Sequence, residues 1–355
     1  MNEKLPETAK TVVTLAYLAQ FDDIIDARSP AEYAEDHIPG AINLPVLDNE
    51  ERVRVGTLHA QASAFEAKKI GAALVARNIA RHLEEHLLDK PKNWRPLIYC
   101  WRGGNRSGAM AHILGRVGWR AEQLPGGYKS YRKTVLEMLS TLPGTLRFCA
   151  VCGATGTGKS RLLAALEKQG AQVLDLEGLA AHRGSLLGNL PDEPQPPQKL
   201  FDTRLWTKLQ EFDPAKVIFV EAESRKIGNI RAPDALLDAM WQSACLRLEA
   251  DVRLRVDLLM EEYRHFLDEP ELLNGKLDGL THLHGRQQVT RWQEMARRQE
   301  WNLLVAELLT RHYDPAYNRS SRQHYPHYDE APVFQTSGIG EEEFTVLARK
   351  IMALT

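Results

Sequence analysis

Short apolar runs punctuate this chain at wide intervals. Ile24-Ile25, Leu97-Ile98-Tyr99, Phe148 to Cys152 and Val217 to Val220 are continuous rather than alternating. Runs of this kind suit strands buried on both faces of a sheet. Helical stretches follow two of them. Ala109-Met110-Ala111-His112-Ile113-Leu114 comes after the second run, and Leu162 to Leu166 after the third. Between the first two runs, Phe65, Ala72, Val75, Ile79, Leu83 and Leu87 recur mostly at spacings of three and four. That spacing predicts a long helix with one packed face. The stretch from Glu341 to Leu354 predicts a closing amphipathic helix. Strand–helix alternation gives an α/β fold followed by a mostly helical tail.

The second run ends in Cys100, and Trp101-Arg102-Gly103-Gly104-Asn105-Arg106-Ser107-Gly108 leads from it into a helix. A cysteine between a strand end and a helix N-terminus meets unpaired backbone N–H groups and the positive end of the helix dipole. Arg102 and Arg106 add positive charge. Such surroundings favour a thiolate and form a bowl for an anion. Cys100 is therefore the candidate nucleophile, with Arg102 and Arg106 as its anion partners. The spacing C-x5-R leaves a sulfur carrier, a selenium carrier and a phosphatase open. A phosphatase also needs a general acid, and no candidate lies beside the loop.

Other motifs surround this loop. Asp26-Ala27-Arg28 precedes Ser29-Pro30-Ala31-Glu32-Tyr33, which reads as a capping box. His37-Ile38-Pro39-Gly40-Ala41-Ile42-Asn43-Leu44-Pro45 comes next, and Leu124-Pro125-Gly126-Gly127-Tyr128 follows the cysteine loop. In this order the motifs resemble the rhodanese-like family over roughly residues 10–138. The resemblance implies a parallel sheet flanked by helices, with Asp26 and Arg28 structural. Asp36 stands where that family often has glycine. The expected organisation is a rhodanese-like domain at 1–140 carrying a helical insertion at 48–95, then a linker at 141–146.

A second domain is expected over 147–245. Its first strand runs into Gly153-Ala154-Thr155-Gly156-Thr157-Gly158-Lys159-Ser160, a complete phosphate loop placed between strand and helix. Gly153, Gly156, Thr157 and Gly158 would curl N–H groups around a phosphate, Lys159 would neutralise it, and Ser160 would hold Mg²⁺. No other metal ligand is identified. Glu221 ends the next apolar run as a Walker-B residue does, although glutamate in place of aspartate weakens direct magnesium ligation. Arg225 and Lys226 follow it, and His182-Arg183-Gly184-Ser185 precedes a proline-rich stretch at 190–197 that reads as a mobile flap. Glu221, Arg225 and Arg183 complete the expected phosphate-binding set.

Net charge is −2, so nucleic acid would be met through local patches rather than a global field. Two patches qualify. Lys68, Lys69, Arg77 and Arg81 lie along the insertion helix, equally readable as an ordinary solvated face. From Thr281 to Gln323, arginines outnumber acids, and aromatic residues are interleaved. Trp292 and Trp301 read as core. Tyr313, Tyr317 and Arg319 read as a non-periodic RNA-binding loop. Residues 246–355 are thus expected to form a helical tRNA-contacting region. Four cysteines give no disulfide framework, and Cys149 and Cys152 read as strand residues. With no apolar run near 20 residues, the expectation is a cytoplasmic protein without a membrane span.

The order of rhodanese-like, phosphate-loop and helical parts is narrower than any one of them. Together with Asp175 to Ser185, Glu221 to Gly228 and Tyr313-Asp314-Pro315-Ala316-Tyr317, it resembles the bacterial tRNA 2-selenouridine synthase family nearly end to end. The resemblance implies a transferase acting on wobble 2-thiouridine of tRNA. Geranyl diphosphate would alkylate the sulfur, and selenium from selenophosphate, carried on Cys100, would then replace it. No tightly bound cofactor is expected, although Mg²⁺ or a nucleotide at the phosphate loop fits the residues. tRNA and a selenophosphate-producing enzyme are the expected partners. Two alternatives stand beside this: an ATP-dependent sulfurtransferase, and a nucleotide-switched RNA-binding module.

Overall fold

The computed structural model describes residues 13–354. Within them the chain forms two compact units: residues up to Met138 together with Pro197–Thr207, and Leu139–Pro196 together with Lys208 onward.

The first unit is built on a four-stranded parallel sheet of β1 (Asp23–Asp26), β2 (Ala41–Asn43), β3 (Pro96–Tyr99) and β4 (Glu122–Gln123), in the order β2-β1-β3-β4. Ile24-Ile25 of β1 and all of β3 are buried because helices cover them, whereas β4 at the edge is polar. Ile25, Ile98, Met110, Leu114 and Trp94 pack into one core, and Ile79 and Leu87 of the insertion join it. Ser29 caps the helix Pro30–Glu35 in the expected box with Glu32. Asp36 replaces glycine without strain because its backbone is extended (φ −177°). Its carboxylate is buried and accepts a 2.7 Å bond from the Tyr128 hydroxyl. Arg28 and Asp26 form a buried ion pair at 2.6 Å, and the guanidinium lies 4.0 Å from the Tyr128 ring centre.

The insertion is two helices, Asn49–Gln61 and Ala64–His82, ending in a π-helical turn at Leu83–Leu87. Val75, Ile79, Leu83 and Leu87 pack into the core as expected, and the packed face departs from the predicted one towards the helix start. Ala67, Gly71, Leu74, Asn78, Ile79 and His82 are buried, whereas Phe65 and Ala72 are exposed. Asn78 and His82 turn inward because they bond the carbonyls of Val46 and Pro45.

The second unit carries a five-stranded parallel sheet: β5 (Arg147–Cys152), β6 (Gln172–Leu174), β7 (Val217–Glu221), β10 (Ala244–Glu249) and β11 (Val333–Gln335), ordered β11-β10-β5-β7-β6. A small antiparallel hairpin, β8 (Lys226–Ile227) with β9 (Ile230–Arg231), follows β7. Cys149 and Cys152 are buried strand residues. The closing helix Glu341–Met352 buries Phe344, Leu347, Ala348 and Ile351 in the core of this sheet.

Three domain expectations change. Residues 246–355 belong to the phosphate-loop unit, since β10 and β11 extend its sheet. Residues 141–146 are mostly a 3-10 turn, Leu142–Thr145, with Pro143 buried. Most of the helix Gln198–Gln210, expected inside the phosphate-loop domain, belongs to the first unit. There Arg132 pairs with Asp202, Lys199 with Glu35, and Tyr131 packs edge-on against Trp206.

Candidate active sites

In the first unit, Cys100 follows β3 directly and is 4% exposed. Its sulfur accepts a 3.1 Å bond from the Ser107 hydroxyl, in the first turn of the helix Asn105–Val117. Burial alone would push the thiol up. The Ser107 hydroxyl, the backbone N–H groups of Ser107 and Gly104, and the Arg106 charge outweigh burial and hold it below its ordinary value. The loop is closed from the other side by Gly127 at φ +58°. A Cβ there would stand 2.3 Å from the Cys100 carbonyl oxygen, so only glycine fits.

Cys100, Trp101, Arg102, Gly104, Asn105 and Arg106 line an open bowl of about 330 Å³. Arg102 is exposed at its rim. Arg106 is less available than expected: Glu32 takes both terminal nitrogens, at 2.6 and 3.2 Å. The capping residue of one helix thus fixes the arginine of another. The residues missed from sequence are Ser107 and Gln123. Gln123 donates to the Ser107 oxygen at 2.8 Å and to the Gly104 carbonyl at 3.0 Å. Ser107 stood in the quoted motif. Gln123, two residues before Pro125, carried no signal of its own.

In the second unit the phosphate loop wraps the N-terminus of the helix Lys159–Lys168. Gly158 has φ +88°, and a Cβ there would overlap the Phe344 ring. The Lys159 ammonium donates to the Gly153 carbonyl at 2.7 Å, and the Gly153 N–H donates to the Tyr317 hydroxyl at 2.5 Å. Arg255, buried, bonds the Thr155 carbonyl and pairs with Asp314. Gly156, Gly158, Lys159, Ser160 and Arg183 face a cavity of about 510 Å³, which Trp241, Tyr263, Tyr313, Tyr317 and Tyr325 wall with rings. Arg183 donates to the Glu262 carbonyl and lies over the Tyr263 ring.

Several expected roles are corrected here. Glu221 is buried and does not face the cavity; its carboxylate accepts from the Glu177 N–H at 2.7 Å. Arg225 is half exposed, paired with Asp234, and also off the cavity. Tyr313 and Tyr317 are not on a free loop. Residues 309–324 are helical, through a π turn at Leu309–Tyr313 and the helix Asp314–His324, and both rings wall the cavity. Arg319 is exposed on that helix. Trp292 is fully buried and Trp301 packs against the same core, as expected. Lys68, Lys69, Arg77 and Arg81 are exposed, with Lys69 paired to Glu66. The stretch read as a mobile flap is pinned by Gln195, whose amide bonds Ala180, Ile227 and Asn229.

Glu177 and Glu223 stand in the motifs at 175–185 and 221–228, but sequence alone assigned neither a role. Glu177 accepts from the Ser160 hydroxyl at 3.2 Å. Glu223 lines the same cavity and shares a hydrogen bond with Glu177. Ser160 and Glu177 are the side chains that fit a magnesium ion held together with phosphate oxygens. Next to the cavity lies an apolar slot lined by Leu187, Met260, Phe266, Leu273, Leu304 and Leu308; Thr155, Ser185, Leu259, Tyr263 and Tyr313 border both spaces.

Comparison with known proteins bears on both units. The tRNA 2-selenouridine synthase of Alcanivorax borkumensis is 30% identical over 346 residues, covering 86% of this chain and 92% of that one. The chain belongs to the tRNA 2-selenouridine synthase family. A rhodanese-like domain model matches residues 13–134, and the tRNA 2-selenouridine synthase AAA domain model matches 146–286. The synthases of Nitrosomonas europaea and Shewanella halifaxensis are 33% and 35% identical, each over 68% of this chain. Those matches span 63% and 66% of the two relatives, somewhat under two thirds of their length. Among the described residues, no helix is long and apolar enough to cross a membrane.

Proposed function

We propose that this chain is an enzyme that converts 2-thiouridine in tRNA to 2-selenouridine in two steps. In the first, the sulfur displaces diphosphate from geranyl diphosphate. In the second, selenium originating from selenophosphate and carried on Cys100 replaces the geranylthio group. The observation that carries this reading is the joining of a phosphate loop to an apolar slot at shared residues. A nucleoside triphosphate has no part that needs a slot lined by leucine, methionine and phenylalanine; an allylic diphosphate has both a charged head and an apolar tail. The free volume of the slot is about 60 Å³, so a ten-carbon tail would enter with repacking, for which the flexible Met260 is suited.

At the head, Lys159 and the loop N–H groups would bind the diphosphate and stabilise the charge that grows as it leaves. A magnesium ion held by Ser160 and Glu177 would supply further neutralisation. At the bowl, the N–H groups that favour the Cys100 thiolate would equally favour a selenolate on that sulfur. S-alkylation makes the C2 substituent a better leaving group, which gives the two steps their order. Names of the relatives supply tRNA as the polymer. Exposed Lys68, Lys69, Arg77, Arg81 and Arg319 are the basic residues proposed to meet its backbone. A partner that makes selenophosphate and a cytoplasmic setting complete the reading.

The test uses the full chain. Lys159→Ala should weaken geranyl diphosphate binding by at least tenfold, from the loss of a charged hydrogen bond worth about 1.5–3 kcal/mol. Leu308→Trp should weaken geranyl diphosphate but not inorganic diphosphate. Unchanged affinity in both variants, or turnover that consumes ATP, would overturn the geranyl assignment.

A further inference from the structure

The boundary between the cavity and the slot of the second unit is polar, although the slot behind it is not. Five residues border both spaces, and four of them carry hydroxyls: Thr155, Ser185, Tyr263 and Tyr313, with Leu259 the exception. A hydrocarbon tail has no use for hydroxyls at the mouth of its slot, and hydroxyls withdrawn from water need partners. An allylic diphosphate meets such a boundary with one particular atom, the ester oxygen that joins C1 to phosphorus.

A tight loop places Ser185 at this boundary. The Arg183 N–H donates to the Gly188 carbonyl at 2.8 Å, and the Gly188 N–H donates to the Ser185 carbonyl at 2.9 Å. Gly184 has φ +64°, and a Cβ there would stand 2.8 Å from a Glu223 oxygen and 3.1 Å from a Glu177 oxygen, so the loop passes these carboxylates only as glycine. Alternate residues of the loop then serve different zones. Arg183 lines the charged cavity, Ser185 the boundary and Leu187 the apolar slot. The side chains of Tyr263 and Tyr313 both hydrogen-bond to that of Ser185. A serine oxygen accepts two hydrogen bonds and donates one. With both tyrosines donating, its lone pairs are filled, and its own proton is left for an acceptor that a ligand brings to the boundary.

We propose that Ser185 is a catalytic hydrogen-bond donor of the alkylation step, acting on the ester oxygen between C1 and the diphosphate. The new bond joins the thiouridine sulfur to C1, and the C1–O bond breaks. Its electron pair stays on the ester oxygen, which leaves as part of diphosphate. The N3 proton of the thiouracil ring is released to water, and the Ser185 proton remains on the serine. Its hydrogen bond strengthens as charge grows on the departing oxygen, so it favours the transition state over the bound substrate. No oxidant or reductant enters. This assignment rests on the proposal that an allylic diphosphate lies with its head at the phosphate loop and its tail in the slot.

The experiment measures single-turnover geranyl transfer to an anticodon stem-loop containing 2-thiouridine, using the full chain. Ser185→Ala should lower the rate on the order of 10²-fold, as loss of one donor to a developing oxyanion does. Inorganic diphosphate, which has no ester oxygen, should bind the variant as it binds the native chain. A geranyl diphosphate analogue with sulfur in place of the ester oxygen offers only a weak acceptor. With it, over longer incubations, the native chain and the variant should react at nearly the same rate. A full rate with geranyl diphosphate in Ser185→Ala would overturn the proposal. So would a penalty that persists undiminished with the sulfur analogue, or a loss of inorganic diphosphate affinity that matches the loss of rate. Absence of transfer by the native chain would sink the geranyl reading, and this assignment with it.

Discussion

The Ser107 hydroxyl accepts from the Gln123 amide at 2.8 Å and donates to the Cys100 sulfur over 3.1 Å, with the Gly104 carbonyl at 3.4 Å as a longer alternative acceptor. An accepted hydrogen bond stabilises a thiolate more than a thiol. Removing it in Ser107→Ala should raise the Cys100 thiol by about 1–2 pH units, taking a bond to a charged group as about 1.5–3 kcal/mol. The midpoint of iodoacetamide alkylation against pH reads this directly. Gln123→Leu should move the midpoint the same way by less. An unmoved midpoint in Ser107→Ala would show that the backbone N–H groups suffice.

Glu32 joins two parts of the first unit. It caps its own helix and grips Arg106. Burial pushes its carboxyl up, but the Arg106 guanidinium and the Ser29 N–H outweigh burial and hold it below the ordinary range. A folded-state value below the unfolded one stabilises above the unfolded pKa and is lost as pH falls through the folded one. Stability of the chain should therefore decline below about pH 4.5, and Glu32→Gln should flatten that part of the curve. Urea midpoints between pH 3 and 7 check it.

Tyr317 holds the first N–H of the phosphate loop. Loss of one neutral hydrogen bond, about 0.5–1.5 kcal/mol, should make Tyr317→Phe roughly 2- to 12-fold weaker in diphosphate binding. Isothermal titration with inorganic diphosphate measures it. Tighter binding in the Phe variant would mean that the hydroxyl competes with the ligand for Gly153.

Arg255 ties the loop carbonyl of Thr155 to Asp314. Breaking a buried pair by removing one partner costs about 3–5 kcal/mol, less for the partly exposed Asp314. Arg255→Ala should lower the unfolding midpoint of the second unit measurably. Arg255→Lys should rescue it poorly, because one ammonium cannot serve both acceptors in the planar geometry of a guanidinium. Thermal denaturation of both variants decides it.

How much of this was legible in the chain depended on distance along it. The capping box at Ser29 and Glu32, the strand before Cys100 and the turn into the phosphate loop involve neighbours, and each appears where the pattern placed it. The insertion face was misjudged at Phe65 and Ala72 because Asn78 and His82 found carbonyl partners inside, which no apolar pattern records. Tyr313 and Tyr317 looked like a binding loop because Pro315 interrupts the periodicity. Proline is tolerated in the first turn of a helix, and one begins at Asp314.

The sequence by itself determined the buried strands before the two loops, the cysteine loop and the phosphate loop, since these follow from contiguous residues whose backbone curl is local. Only the tertiary structure decided what those loops face. Arg106 is paired to a carboxylate 74 residues away, and Gly153 to a hydroxyl 164 residues away. Glu223 and Glu177 meet because β7 and the segment after β6 end side by side. Such pairings are set by packing, which brings together side chains from motifs far apart in the chain.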